Sequence, residues 1–269
     1  MTGYLSRTTI RDLYKTFVQE LRLLRKPIDT PLGFKLIGNK QMETGQFEVE
    51  ETKIIKELLP SIDLVIDVGA NIGYYCCLAL KYEKQVVAFE PMHYNFRTLL
   101  RNIEVNGWSS GIEAYPLALS DRSGIIKIYG ESTWASLVKG WANTPENCVS
   151  YIPCATMDSI IGSRFHGKKC LVIIDIEGAE MEMLMGATKI FDMEPKPIWM
   201  VEISIGEHQP KGIKINPNLR STFDMFWERG YVARTADSEQ RVVSADEVDK
   251  IVETGVDTLH THNFTFVHP

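Results

Sequence analysis

Val65-Ile66-Asp67-Val68-Gly69-Ala70-Asn71-Ile72-Gly73-Tyr74 joins an apolar run to a helical one. Leu64–Val68 is short and almost wholly apolar, as a strand buried on both faces must be. The glycines that follow are spaced G-x-N-x-G. Glycine lets a backbone approach a ligand closely, and the helix N-terminus behind it offers free N–H groups. The spacing differs from the G-x-G-x-x-G that cradles a dinucleotide pyrophosphate.

Outward from this turn the pattern is regular. Residues 74–82 continue as a helix, Gln85–Glu90 reads as a second buried strand, and Phe96, Leu99, Leu100 and Ile103 mark a second helix that ends near Asn106-Gly107. Ile112–Leu119 reads as a third strand and Ile125–Tyr129 as an excursion pairing with a neighbour. Leu171–Ile176 and Ile198–Ile203 are the fourth and fifth strands, with a helix carrying Met181, Leu184, Met185 and Ala187 between them. Leu219, Phe223, Phe226 and Trp227 lie on a further helix. Tyr231–Thr235 and Phe264–Val267 are the last strands, and Ser244-x-x-Glu247 reads as a capping box between them. Alternating strands and helices of this kind predict a doubly wound α/β sheet. Residues 130–155 show no period, and a loop of that length in a compact domain is often functional.

On the N-terminal side, Glu50–Leu59 reads as a short helix and Leu32–Ile37 as a strand. Ile10, Leu13, Tyr14, Phe17, Leu21 and Leu24 predict an amphipathic helix over 7–25, made basic by Arg11, Lys15, Arg22, Arg25 and Lys26. Packing on its own domain is the first expectation for this helix, and peripheral contact with a membrane surface the second. Residues 1–45 are thus expected to form an extension of helix and strand, and 46–269 the main domain.

The 269 residues carry 29 Lys and Arg against 35 Asp and Glu, a formal net charge of −6. A global basic field for gripping nucleic acid is therefore lacking. Five cysteines, Cys76, Cys77, Cys148, Cys154 and Cys170, occur without C-x-x-C spacing. That reads as reduced thiols rather than a disulfide framework or zinc site. With no apolar run of membrane-spanning length and no signal-like N-terminus, a cytoplasmic enzyme is expected.

Glu90 closes the second strand, where an acid can accept hydrogen bonds from both ribose hydroxyls. Together with the glycine turn it points to an adenosine-containing ligand, leaving S-adenosylmethionine and a nicotinamide cofactor both open. The missing third glycine disfavours a pyrophosphate, and Asp67 suits a ligand bearing an amino group. At the end of the fourth strand stand Asp175 and Glu177, expected to face the same crevice at the carboxyl edge of the sheet. Glu180 follows one turn on, where a helix dipole favours it. Clustered carboxylates suit proton abstraction or a hard ion such as Mg2+, and the residues do not choose between these options. Glu202 ends the fifth strand, with Glu207 and His208 beyond it. His208 is a candidate base. His260 and His262 form an H-x-H pair with no matching third ligand, so no metal-binding role is expected of them.

Several of these motifs occur together and in order. Phe47-Glu48-Val49-Glu50-Glu51-Thr52, Asp67 to Tyr74, Phe89-Glu90-Pro91, Asn95, Leu99, Asn102 and Asn106-Gly107 resemble the FkbM-type methyltransferase family. So do Thr156-Met157-Asp158, Asp175 to Glu180, Leu184-Met185-Gly186-Ala187 and Glu202. The resemblance covers about residues 47–235. It implies a seven-stranded class I methyltransferase fold and O-methylation by S-adenosylmethionine, often of sugars in glycans or of secondary metabolites. On that basis Asp67, Gly69, Ala70, Asn71, Gly73, Tyr74, Glu90, Pro91, Asn95, Ser120, Asp121 and Asp175 are expected around the cofactor. The turn would hold its methionine end, Glu90 its ribose, and Ser120 and Asp121 its adenine. Asp175, Glu177, Glu202 and His208 are the candidates for activating the acceptor, singly or around a divalent ion. The alternatives are a nucleic-acid methyltransferase on the same fold, a nucleotide-binding oxidoreductase and a non-catalytic nucleotide-binding module. Residues 1–45 and 130–150 match no part of the pattern, and acceptor choice is expected to reside there.

Overall fold

The structure is a computed structural model describing residues 18, 20, 21, 23–131, 134–145 and 147–269. The predicted amphipathic helix over 7–25 lies mostly outside the described residues; residues 18, 20, 21 and 23 are helical.

Two short strands, β1 (Ile28–Asp29) and β2 (Lys35–Leu36), pair antiparallel ahead of the main sheet. Seven strands form that sheet: β3 (Leu64–Val68), β4 (Gln85–Phe89), β5 (Ile112–Tyr115), β9 (Cys170–Ile174), β10 (Ile198–Glu202), β11 (Val232–Thr235) and β12 (Asn263–Val267). Their order is β11-β12-β10-β9-β3-β4-β5. β12 runs antiparallel to both of its neighbours, and the other pairings are parallel. The chain travels outward from β3 to β5, returns to β9 and then travels outward the other way. β3 and β9 are neighbours, with Val68 opposite Ile174, so the switch point falls between the ends bearing the glycine turn and Asp175.

Strand alternation divides the core into two layers. Leu64, Ile66, Val68, Val87, Phe89, Val172, Trp199 and Phe266 pack on one face with helices Glu180–Met185, Thr188–Phe191, Leu219–Trp227 and Ala245–Thr254. Val65, Val86, Ala88, Leu171 and Met200 pack on the other with helices Val49–Leu58, Tyr74–Lys81 and His93–Val105. Strands covered on both sides have to be continuously apolar, which is why these five-residue runs are legible in the sequence. Ser244 accepts a bond from the Glu247 N–H at the head of the helix Ala245–Thr254, as its spacing predicts.

Two sequence expectations need correction. The predicted third strand, Ile112–Leu119, divides into β5 and β6 (Ala118–Leu119). Pro116, which has no N–H to give the ladder, stands at the break. β6 leaves the main sheet and pairs with β8 (Val149–Ala155), which also pairs with β7 (Gly124–Tyr129). β8 lies in the stretch that had shown no period. Pro153 obscures it, and the ladder tolerates that proline because β6 covers only Cys154 and Ala155.

Phe34, Leu36 and Met42 from the N-terminal segment are buried in the second core layer. Asn102 fastens this segment down. Its amide accepts from Ile37 N (2.7 Å) and donates to Ile37 O (3.2 Å) and Ile72 O (2.9 Å). No helix among the described residues is long and apolar enough to cross a membrane.

At Gly69, φ is +83° and a Cβ would lie 1.8 Å from the Asp175 carbonyl oxygen, so β3 and β9 could not keep their register around a side chain there. At Gly107 φ is +75° with nothing within 4 Å. Gly69→Ala is expected to cost at least about 4 kcal/mol of stability, and Gly107→Ala only the backbone strain of about 1–2 kcal/mol. Denaturant titration of the two variants checks this; equal losses would show that the β3–β9 contact yields easily.

Candidate active site

The turn after β3 is held by its neighbours. Gly69 N and Ala70 N both donate to Phe89 O (2.9 and 3.0 Å), and Asp175 N donates to Val68 O (3.0 Å). Asn71 adopts φ +49° and turns its N–H to the Glu90 carboxylate at 2.8 Å. Glu90 is buried and also accepts from Met92 N (2.7 Å) and Asn95 Nδ2 (3.4 Å). Burial raises its pKa to about 7, although those three donors oppose the shift.

A cleft opens over this turn. Val68, Gly69 and Asn71 form its floor, and Glu90, Pro91, Met92 and Asn95 one end. Leu117, Ala118 and Leu119 make an apolar wall, and Asp175 and Glu177 line it as well. Seven of the residues expected from the sequence therefore converge on one cavity: Gly69, Asn71, Glu90, Pro91, Asn95, Asp175 and Glu177.

The others lie elsewhere. Ala70 and Tyr74 are buried in the second core layer, where Tyr74 packs edge-on against Phe34 and Phe47. Gly73 caps the helix with φ +83°. Asp67 is buried beneath the turn, accepting from the Cys76 thiol at 3.0 Å, and burial raises it to about 7. Ser120 and Asp121 do not line the cleft. β6 draws Ser120 toward β8, where its N–H bonds Ala155 O (3.0 Å), and Leu117–Leu119 line the cleft in their place. Glu202 pairs with Asp175 by a side-chain hydrogen bond behind the cleft. Burial pushes both upward, so the pair holds a proton more tightly than free carboxylates do.

His208 is exposed and reaches the cleft only indirectly. Its ring stacks on Trp141 with centroids 6.1 Å apart, and Trp141 Nε1 donates to Glu177 Oε2 at 2.7 Å. Ser136 Oγ donates to Glu177 O at 2.5 Å. Burial raises Glu177 to about 7 against the pull of the Trp141 bond. Glu180 is buried, accepts from Gly178 N at 2.8 Å and is raised by burial to about 8.

Three participants had no site assignment from sequence. Trp141, in the aperiodic stretch, orients Glu177. Glu48, at φ +41°, accepts from the Tyr75 hydroxyl and is raised to about 8 by burial and then by Asp175. His262, at the head of β12, lies near enough to Asp175 to favour its charged form. Phe47-Glu48-Val49 and the H-x-H pair were the available signals, and neither carries a distance. No three His, Cys, Asp or Glu side chains among the described residues are grouped to hold a metal ion, so the divalent-ion option has no donor set there.

A model described as the Methyltransferase FkbM domain matches residues 67–233. Methyltransferase sdnD of Sordaria araneosa is 35% identical over 72 residues, which span 26% of this chain and 28% of that protein. Among solved structures, an FkbM methyltransferase from Methylobacillus flagellatus aligns with 96% of this chain and 60% of its own, at 14% identity and a TM-score of 0.46. The magnesium protoporphyrin IX methyltransferase of Synechocystis, with S-adenosylmethionine bound, aligns over 100% of both chains at 9% identity and a TM-score of 0.43.

Carboxylates raised by burial make the ligand-free protein sensitive to base. Glu48 and Glu180 stand at about 8, and Asp67, Glu90 and Glu177 at about 7. A raised acid binds its proton more tightly when folded, so its contribution is full below the unfolded pKa of about 4 and drains away as pH rises through 7–8. The melting temperature is expected to fall between pH 6 and pH 9, and Glu90→Gln to flatten that slope. A melting temperature that rises over this interval would contradict the assignment.

Proposed function

Because the chain belongs to the FkbM methyltransferase family, we propose that it moves the methyl group of S-adenosylmethionine to a hydroxyl oxygen on a sugar, in a glycan or glycosylated metabolite. The observation that carries this reading is one cleft lined by Glu90, an apolar wall and the Asp175–Glu177 carboxylates around the glycine turn. Such a cleft fits the cofactor piece by piece. Glu90 would accept the ribose hydroxyls, Leu117–Leu119 would cover the adenine, and Asp175 with Glu177 would offset the sulfonium charge.

When bound, S-adenosylmethionine supplies an electrophilic methyl carbon, whose bond to sulfur breaks as the bond to oxygen forms. An alcohol is a weak nucleophile until its proton has somewhere to go. Glu177, raised to about 7 and directed by Trp141, is suited to take that proton. Asp175, which lines the cleft with Glu177, is suited to face the cation. In-line alignment of acceptor and methyl supplies much of the remaining rate. The net charge of −6 supports a hydroxylated small molecule or glycan over nucleic acid as acceptor. Cys76, Cys77, Cys154 and Cys170 form no disulfide, which supports a reducing compartment such as the cytoplasm.

Radiolabelled S-adenosylmethionine offered with glycosides, glycosylated metabolites, RNA and DNA tests the acceptor class. Label is expected in an ether on a sugar; faster transfer to bare RNA or DNA would overturn the reading. Glu90→Ala is expected to weaken S-adenosylhomocysteine binding by about 1–3 kcal/mol, measured by calorimetry, because buried donors lose their partner. Glu177→Gln is expected to bind it normally while kcat falls roughly a hundredfold. Trp141→Phe removes the bond that lowers Glu177, so the acidic limb of the kcat profile is expected to move to higher pH. An unmoved limb would take the proton-accepting role from Glu177.

A further inference from the structure

Trp134 is 54% exposed, and its ring centroid lies 5.5 Å from that of the exposed His208. His208 in turn stacks at 26° on Trp141, which is fully buried and bonded to Glu177. The base of this stack cannot slide: a Cβ on Gly178 would lie 2.4 Å from the Trp141 ring, and Ala142 N donates to His208 O at 2.7 Å. Ala142, Asn143, Glu177 and His208 all hold positive φ, at 49°, 58°, 57° and 63°. Non-glycine residues in that region carry strain, and strain gathered in one layer is a mark of a functional surface. Beside Trp134, Ala135 and Leu137 line the cofactor cleft, so the exposed rings are continuous with its wall.

We propose that the Trp134–His208 ring pair is the docking platform for the acceptor's saccharide ring, a reading that rests on the sugar acceptor proposed above. One face of a pyranose presents polarised C–H bonds, which the electron-rich face of an indole attracts, while its hydroxyls point outward to hydrogen-bond acceptors. Trp141 links this binding surface to the residue proposed to take the proton.

The test uses the full chain with saturating S-adenosylhomocysteine, titrated calorimetrically with methyl hexopyranosides and methyl 6-deoxyhexopyranosides, and with catechol as a flat aromatic probe. At least one glycoside is expected to bind, with affinity falling about tenfold in Trp134→Ala and recovering in Trp134→Phe. S-adenosylhomocysteine affinity is expected to stay at the wild-type value in both, which a collapse of the loop would not allow. Glycosides that bind and are methylated equally well by Trp134→Ala would overturn the platform and leave the sugar-acceptor reading standing. Failure of every glycoside to bind or be methylated would remove both. Trp134-dependent binding of catechol with no glycoside binding would assign the rings to an aryl acceptor instead.

Discussion

Everything at the carboxyl edge of the sheet depends on how closely two backbones pass. β3 runs into its turn against the end of β9, close enough that the Asp175 carbonyl occupies the space a side chain on Gly69 would need. The bond from Asp175 N to Val68 O closes the approach from the other strand. Because of this contact, the turn and the Asp175–Glu177 carboxylates share one wall of one cleft. A sheet with the same strands in another order would scatter them.

The electrostatic consequence is a site that concentrates negative charge in low dielectric. Glu48, Asp67, Glu90, Asp175, Glu177, Glu180 and Glu202 are all displaced upward, with burial as the leading cause in each. Individual donors soften this: a thiol for Asp67, backbone amides for Glu90, an indole for Glu177, a backbone amide for Glu180. Burying like charges is costly without a compensating cation, and a sulfonium is one.

Local chemistry made much of this legible before any coordinates. Leu64–Val68, Gln85–Glu90 and Leu171–Ile176 announce themselves because a strand covered on both faces has little room for polar residues. The glycine turn, Glu90 and Asp175 follow as strand-end residues of a doubly wound sheet. What stayed hidden depends on distant pairings. Trp141 meets Glu177 across 36 residues, from a stretch whose strand, β8, is disguised by Pro153. His262 comes near Asp175 only because β12, last in the chain, inserts between β10 and β11. Ser120 and Asp121 were displaced from the cleft by the break at Pro116, visible in the sequence, and by the pull of β8, which was not.

Asn102 grips Ile37 with one part of its amide and the Ile72 carbonyl with the other. Ile72 lies between Asn71 and Gly73, inside the turn itself. The N-terminal segment and the glycine turn are therefore joined by one clasp, and whatever holding the first does to filling of the second, filling the second must do in equal measure to the first.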